Sequence, residues 1–168
     1  MRRFFLLLLC LISIGNTHPH TFIDVYLDIS ENELNIKWVF DEMTSEALLE
    51  DFDLNHNKIF DAKETALFNN EVFAPLQKFS FFTNLKVEKK KIAFSPKNLQ
   101  LSQVGNTFVI EFCVDLKPYE HQKKSIGFWD DSFLCALSLE AAHIHSTLHY
   151  TLKVVDNAYY YGYLLELP

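Results

Sequence analysis

From Thr21 to Ile29 the side chains alternate without a break: Thr21, Ile23, Val25, Leu27 and Ile29 fall on one parity, and His20, Phe22, Asp24, Tyr26 and Asp28 on the other. A strand sends successive side chains to opposite faces, so this segment can bury one face and leave the other in water. Asn35 to Phe40 repeats the pattern with Ile36, Trp38 and Phe40 inward, and Glu31-Asn32-Glu33 makes a turn between the two. The chain is therefore expected to open on a β-hairpin.

The period then changes. Met43, Ala47, Leu48 and Phe52 stand at helical spacing, with Asp41 or Thr44 available as the cap, and a second helix is predicted over about Ala62 to Leu76, where Pro75 ends or kinks it. Between them, Asp53, Asn55, Asn57, Asp61 and Glu64 take positions 1, 3, 5, 9 and 12 of a calcium loop of the EF-hand type, with the Ile59 carbonyl at position 7. Alternate residues of a tight loop face its centre, while a glutamate at position 12 reaches back from the outgoing helix. Lys58 occupies position 6, where glycine suits the sharp turn, and with three carboxylates facing the ion a modest affinity is expected.

Eight short apolar runs follow, over 85–87, 91–94, 99–103, 107–114, 125–129, 134–139, 147–155 and 159–167, with turn signals such as Ser95-Pro96, Gly105-Asn106, Lys117-Pro118 and Asp156-Asn157 between them. The fold class this implies is α+β: a mainly antiparallel, sandwich-like β domain with an EF-hand-like helical hairpin (41–78) inserted after its second strand. Sixteen phenylalanines against four glycines exclude a disordered or low-complexity chain. One domain, 18–168, is expected to hold the core.

Residues 1–17 are expected to be a signal peptide. Arg2 and Arg3 precede an apolar run from Phe4 to Ile14, too short to span a bilayer as a helix, and Gly15 and Thr17 are small residues suited to cleavage. Cleavage after Thr17 starts the mature protein at His18; cleavage after Gly15 keeps the imidazoles and moves the amine away. Cys10 lies behind a leucine inside the apolar run, which argues against a lipoprotein. Loss of two arginines takes the formal charge from −7 to −9, a balance that disfavours nucleic acid and anionic lipid as partners.

His18-Pro19-His20 offers imidazoles suited to zinc, nickel, cobalt or copper. Pro19 has no amide proton to lose, so the square-planar chelate built on backbone nitrogens is ruled out. Two imidazoles with a carboxylate, for which Asp24 on the same strand face is a candidate, or an amine-plus-imidazole copper clamp remain. His143, His145 and His149 share one parity and would face one way on a continuous strand, making a candidate second metal cluster. Cys113 and Cys135 are a candidate disulfide in an oxidising compartment, or simply two small core residues. His56 and His121 attract no role, the latter because it sits among lysines. With no nucleophile elbow, activated cysteine or glycine-rich phosphate loop, an enzyme has no positive support and is not expected.

His18-Pro19-His20-Thr21-Phe22-Ile23-Asp24, Trp38-Val39-Phe40-Asp41-Glu42, the acidic loop from Asp53 to Glu64, and Phe81-Phe82-Thr83 together resemble the bacterial periplasmic proteins grouped as domain of unknown function 1007. Gly127-Phe128-Trp129-Asp130-Asp131 looks like that family's late aromatic turn, with Asp131 in place of a proline. The resemblance covers about His18 to Glu140. It implies a periplasmic component of a transport system, an inner-membrane permease of the nickel/cobalt type as partner, and zinc as the leading cargo. By the same resemblance His18, His20, Asp24, Asp41 and Asp130 carry the metal role.

The leading expectation is thus a periplasmic metal-binding transport accessory. A calcium-stapled structural or interaction module competes with it, and a copper redox enzyme using the His18 amine is the weaker third.

Overall fold

A computed structural model describes residues 20–168. The predicted hairpin is present as β1 (Thr21–Ile29) and β2 (Glu33–Phe40), antiparallel, with Val25 opposite Trp38 and Leu27 opposite Ile36. Ile23, Val25, Leu27 and Ile29 are buried, as their parity requires, and Asp24 and Asp28 on the other parity are exposed. β5 (Lys97–Val104) and β6 (Thr107–Asp115) extend the sheet beyond β2, while β8 (Cys135–Ser138) and β9 (Ile144–Ser146) both pair with β1 in parallel. The order β5-β6-β2-β1-β8 is sheet A. Sheet B has the order β10-β11-β7-β3-β4, built from β3 (Thr83–Val87), β4 (Lys90–Lys91), β7 (Lys124–Trp129), β10 (Thr151–Asp156) and β11 (Tyr161–Leu167). The chain is α+β, mostly antiparallel, with two sheets and a helical insertion after β2.

Asp41 caps the first helix, α1 (Glu42–Phe52), and Asp61 opens the second, α2 (Ala62–Phe68), with a capping box in which Glu64 returns a bond to the Asp61 N–H. The second helix departs from expectation. It is α only to Phe68, widens into a π turn over Asn69–Phe73, and tightens to 3-10 geometry over Ala74–Phe82. Pro75 supplies no N–H to an α ladder, and Ser80 and Phe81 adopt left-handed φ of 55° and 51°, which turns the chain into β3. The run 91–94 is likewise not a strand beyond Lys91; Ile92 and Phe94 pack against the core instead.

The insertion belongs to the core rather than standing beside it. Phe68 lies 5.4 Å from Phe108, Phe73 lies 5.1 Å from Phe112, and Phe82 lies 5.8 Å from Trp38 between ring centres. Each such buried side chain contributes roughly 1.5–3 kcal/mol relative to exposure. Ser45, fully buried in α1, joins helix to sheet by accepting the Phe108 N–H at 3.0 Å and donating to the Phe40 carbonyl at 3.2 Å. No helix among the described residues is long and apolar enough to cross a membrane.

Candidate metal sites

The first site to build is the end of sheet A where β1 begins. His20 is exposed and donates its backbone N–H to the Leu134 carbonyl at 2.9 Å. Two residues on, the Phe22 N–H donates to Asp41 Oδ2 at 2.7 Å, and the same carboxylate accepts the Thr44 N–H at 2.9 Å and the Thr44 hydroxyl at 2.8 Å. Burial pushes the Asp41 carboxyl upward, but the hydrogen bonds from Thr44, Phe22 and Met43 outweigh it and hold the group below its ordinary value.

Asp130, 3% exposed, is used in the same way. Its Oδ1 accepts the Ser132 N–H and hydroxyl at 2.8 and 2.6 Å, and its Oδ2 accepts the N–H groups of Leu134 and Cys135 at 3.1 and 2.9 Å. The carboxylate thus folds the turn that delivers Leu134 to His20. Trp129, just before it, stacks on Tyr160 at 4.3 Å. Of the residues implied by the resemblance, His20, Asp41 and Asp130 are therefore tied through backbone hydrogen bonds to the same end of the sheet, without their ligand atoms forming a close group. Asp24 is exposed four residues along β1, opposite Val39 and Ser138, and His18 lies outside the described residues, as does the stretch 1–17 expected to be a signal peptide.

The second site is the loop between the helices. Asp53 Oδ1 and Oδ2 accept the N–H groups of Asn57 and Lys58 at 3.1 and 3.0 Å, Asn55 Oδ1 accepts that of Asn57 at 3.0 Å, and Asn57 Oδ1 accepts that of Ile59 at 2.7 Å. Glu64, 1% exposed, accepts the Asn55 N–H at 3.3 Å through Oε1, so the side chain at position 12 reaches back across the loop. A carboxylate oxygen has two lone pairs and can accept one bond while facing an ion. Asp61 spends Oδ1 on the N–H groups of Lys63 and Glu64 as helix cap. Lys58 takes φ 65°, the left-handed conformation that position 6 requires, without a glycine.

The carboxyl-terminal histidines do not share one continuous strand. A 3-10 turn at Ala141–His143 breaks the edge strand between β8 and β9, and His149 lies beyond β9 in the irregular backbone that follows the bend at 147–148. His143 stacks on Tyr26 with ring centres 3.9 Å apart, and His145 Nδ1 lies 3.2 Å from Asp28 Oδ1. The imidazoles of His143 and His145 have thus each found a separate partner on β1. His143 and His145 form one rim of a groove of about 660 Å³ on the outer face of sheet A, which Lys37, Glu111 and Cys113 also line.

The candidate disulfide is not formed: both thiols are free. Cys113 lies opposite Asn35, which lies opposite Asp28, whereas Cys135 pairs with Thr21. Seven residues of strand separate those register positions, about 23 Å, where a disulfide needs Cα atoms within about 7 Å. Burial pushes the Cys135 thiol up to about 12, with Asp130 adding to it, and burial followed by Glu33 raises that of Cys113.

Sequence reasoning also passed over His121. Its ring meets Glu31 and Glu120, the group of three metal-ligating side chains drawn together among the described residues. The flanking lysines hid it, and no local signal announces Glu31, which comes from the β1–β2 turn.

A family model described as a protein of unknown function (DUF1007) matches residues 3–157. No curated protein matches the chain, and no solved structure does.

Proposed function

This chain belongs to the DUF1007 family, and on that premise we propose that it is an exported accessory protein that captures a divalent transition metal at its amino-terminal histidines and passes it to an inner-membrane permease. The observation that carries this reading is the convergence of His20, Asp41 and Asp130 at the start of β1, from three distant parts of the chain. Asp41 and Asp130 spend their oxygens on backbone N–H groups, so they act as positioning residues that hold the strand presenting the imidazoles. The ligands are then His18 and His20, with Asp24 as the carboxylate exposed on the same face. Zinc is the leading ion because two imidazoles and a carboxylate suit its tetrahedral preference, with nickel, cobalt and copper as competitors.

Delivery to a membrane protein draws support from the surroundings. Phe22 is 55% exposed, Leu134 50% and Tyr159 77%, an apolar rim around the same end that suits transient docking. Capture needs neutral imidazoles, so a site of this kind releases its ion as protons compete.

The test is titration of the signal-free, metal-stripped protein with zinc, nickel, cobalt and copper, beside the His18→Ala/His20→Ala variant. A one-to-one site lost in the variant is the expected result; unchanged zinc affinity in the variant overturns the reading.

A calcium-stapled interaction module is the second reading, and the left-handed Lys58 with Glu64 folded back over the loop favours it. It predicts a melting temperature raised by calcium and unmoved by stoichiometric zinc.

A further inference from the structure

We propose that the tip of the β3–β4 hairpin, with Lys123 beside it, is a docking surface for an anionic lipid bilayer. Lys86 stands near the end of β3, Glu88 and Lys89 form the turn, and Lys90 and Lys91 make up β4; all five are exposed, as is Lys123. The β6–β7 connection is fastened to this tip, because the Glu88 N–H donates to the Lys123 carbonyl and the Lys123 N–H to Glu88 Oε1, each at 3.0 Å. Five exposed lysines thus share one end of sheet B with the carboxylate of Glu88. Glu31 and Glu120 lie at the margin, around the buried Lys124, with the exposed Lys117 in the same connection.

The tip keeps its charge at some cost to the fold. Lys86 is directly opposite Lys91, and like charges facing each other across a strand pair are destabilising. Glu88 and Lys89 take left-handed φ of 45° and 71° in the turn, where Asn-Gly would fit without strain.

The chain as a whole is acidic, which counts against anionic lipid, but the fold separates the charges. The tip lies at the Lys124 end of β7, and Asp130 follows the other end, about 20 Å away along the strand. Physiological salt screens exposed charges beyond about 8 Å, so a flat surface meeting the tip senses the lysines and not the acids of the far end.

Composition selects the partner. Protein interfaces favour aromatic side chains and arginine over lysine, and none of the large apolar side chains exposed among the described residues falls on the hairpin or on 117–124. Flexibly tethered point charges without an apolar anchor suit a fluid layer of anionic headgroups, each lysine strengthening attachment about five-fold. Lysines on an edge strand also keep sheets from pairing edge to edge, and β4 is the edge of sheet B. That account covers Lys90 and Lys91, but not Lys86 on β3 or Lys123 in a loop. The contact does not rest on the metal reading, and it leaves the end that carries His20 facing away from the bilayer.

The experiment is co-sedimentation of residues 18–168, free of the apolar run 4–14, with phosphatidylcholine vesicles containing roughly one-third phosphatidylglycerol. Attachment is expected to these vesicles and not to pure phosphatidylcholine, lost when salt is raised to about 0.5 M, and weakened about 100-fold in Lys89→Ala/Lys90→Ala/Lys91→Ala. Lys89→Ala, a single change in the exposed turn, reads the same contact at about five-fold. Lys37→Ala/Lys63→Ala/Lys78→Ala changes the net charge equally and should bind as the parent does. No attachment to the anionic vesicles, equal weakening by the two triple variants, or tighter retention on poly-glutamate than on the vesicles overturns the proposal, the last in favour of an acidic protein partner.

Discussion

Asp41 Oδ2 accepts the Phe22 N–H at 2.7 Å, so the residue that caps α1 also fastens the first turn of strand behind His20. One carboxylate thereby couples the helical insertion to the strand that begins just after His20. Asp130 does the same from the other side, through the turn whose Leu134 carbonyl receives the His20 N–H.

Replacing Asp41 with alanine should cost about 1–2 kcal/mol at neutral pH, the range for a lost cap, as read by urea unfolding. The folded-state carboxyl lies below its ordinary value of 3.8, so its contribution is present above that pH and fades as pH falls through the folded value. The gap between the two proteins should therefore be constant from pH 7 to 5 and narrow below about 3.8. A gap that widens on acidification would contradict the role assigned to the hydrogen bonds.

Lys58→Gly should stabilise the loop by about 1 kcal/mol, because a side chain in the left-handed region carries a penalty that glycine escapes. Asp53→Ala removes the acceptor of two loop N–H groups and should destabilise by about 2 kcal/mol without calcium. If the loop takes calcium, that variant also loses any calcium-induced rise in melting temperature, which differential scanning fluorimetry measures.

Both thiols should resist alkylation at pH 8 in the folded protein and react together on unfolding. Burial holds the Cys135 thiol near 12 and raises that of Cys113, so little thiolate is present to attack. Mass spectrometry after a timed iodoacetamide pulse reads this directly, and without reductant it should find no Cys113–Cys135 link.

Gly127→Ala should destabilise by about 1–3 kcal/mol, an overpacking cost. A Cβ there meets the Trp129 ring, which lies over Gly127 and stacks on Tyr160. A shift in tryptophan emission should accompany the loss, and an unperturbed spectrum with full stability would refute the packing described.

The hairpin, the insertion and the calcium-type loop were legible in the residues because each depends on a local rule. A two-residue period marks β1 and β2, a switch to helical spacing marks α1, and oxygen side chains at alternate positions mark the loop, none of which needs knowledge of distant chain. Even Lys58 at a glycine position was readable as a turn under strain, and its φ of 65° is that turn.

Register and long-range packing settled the rest. Parity put His143, His145 and His149 on one face, but the 3-10 turn at Ala141–His143 breaks the edge strand, so the imidazoles seek separate partners in Tyr26 and Asp28. Composition allowed Cys113 and Cys135 to pair, and sheet order sets them two strands and seven residues of register apart. That Asp41 and Asp130 are saturated by N–H groups, and that Glu31 reaches His121 from ninety residues away, follows from which loops the closed sandwich brings together. Local periodicity fixes what a segment becomes, whereas the meeting of side chains from distant segments is a property of the packed whole, where burial and register choose the neighbours.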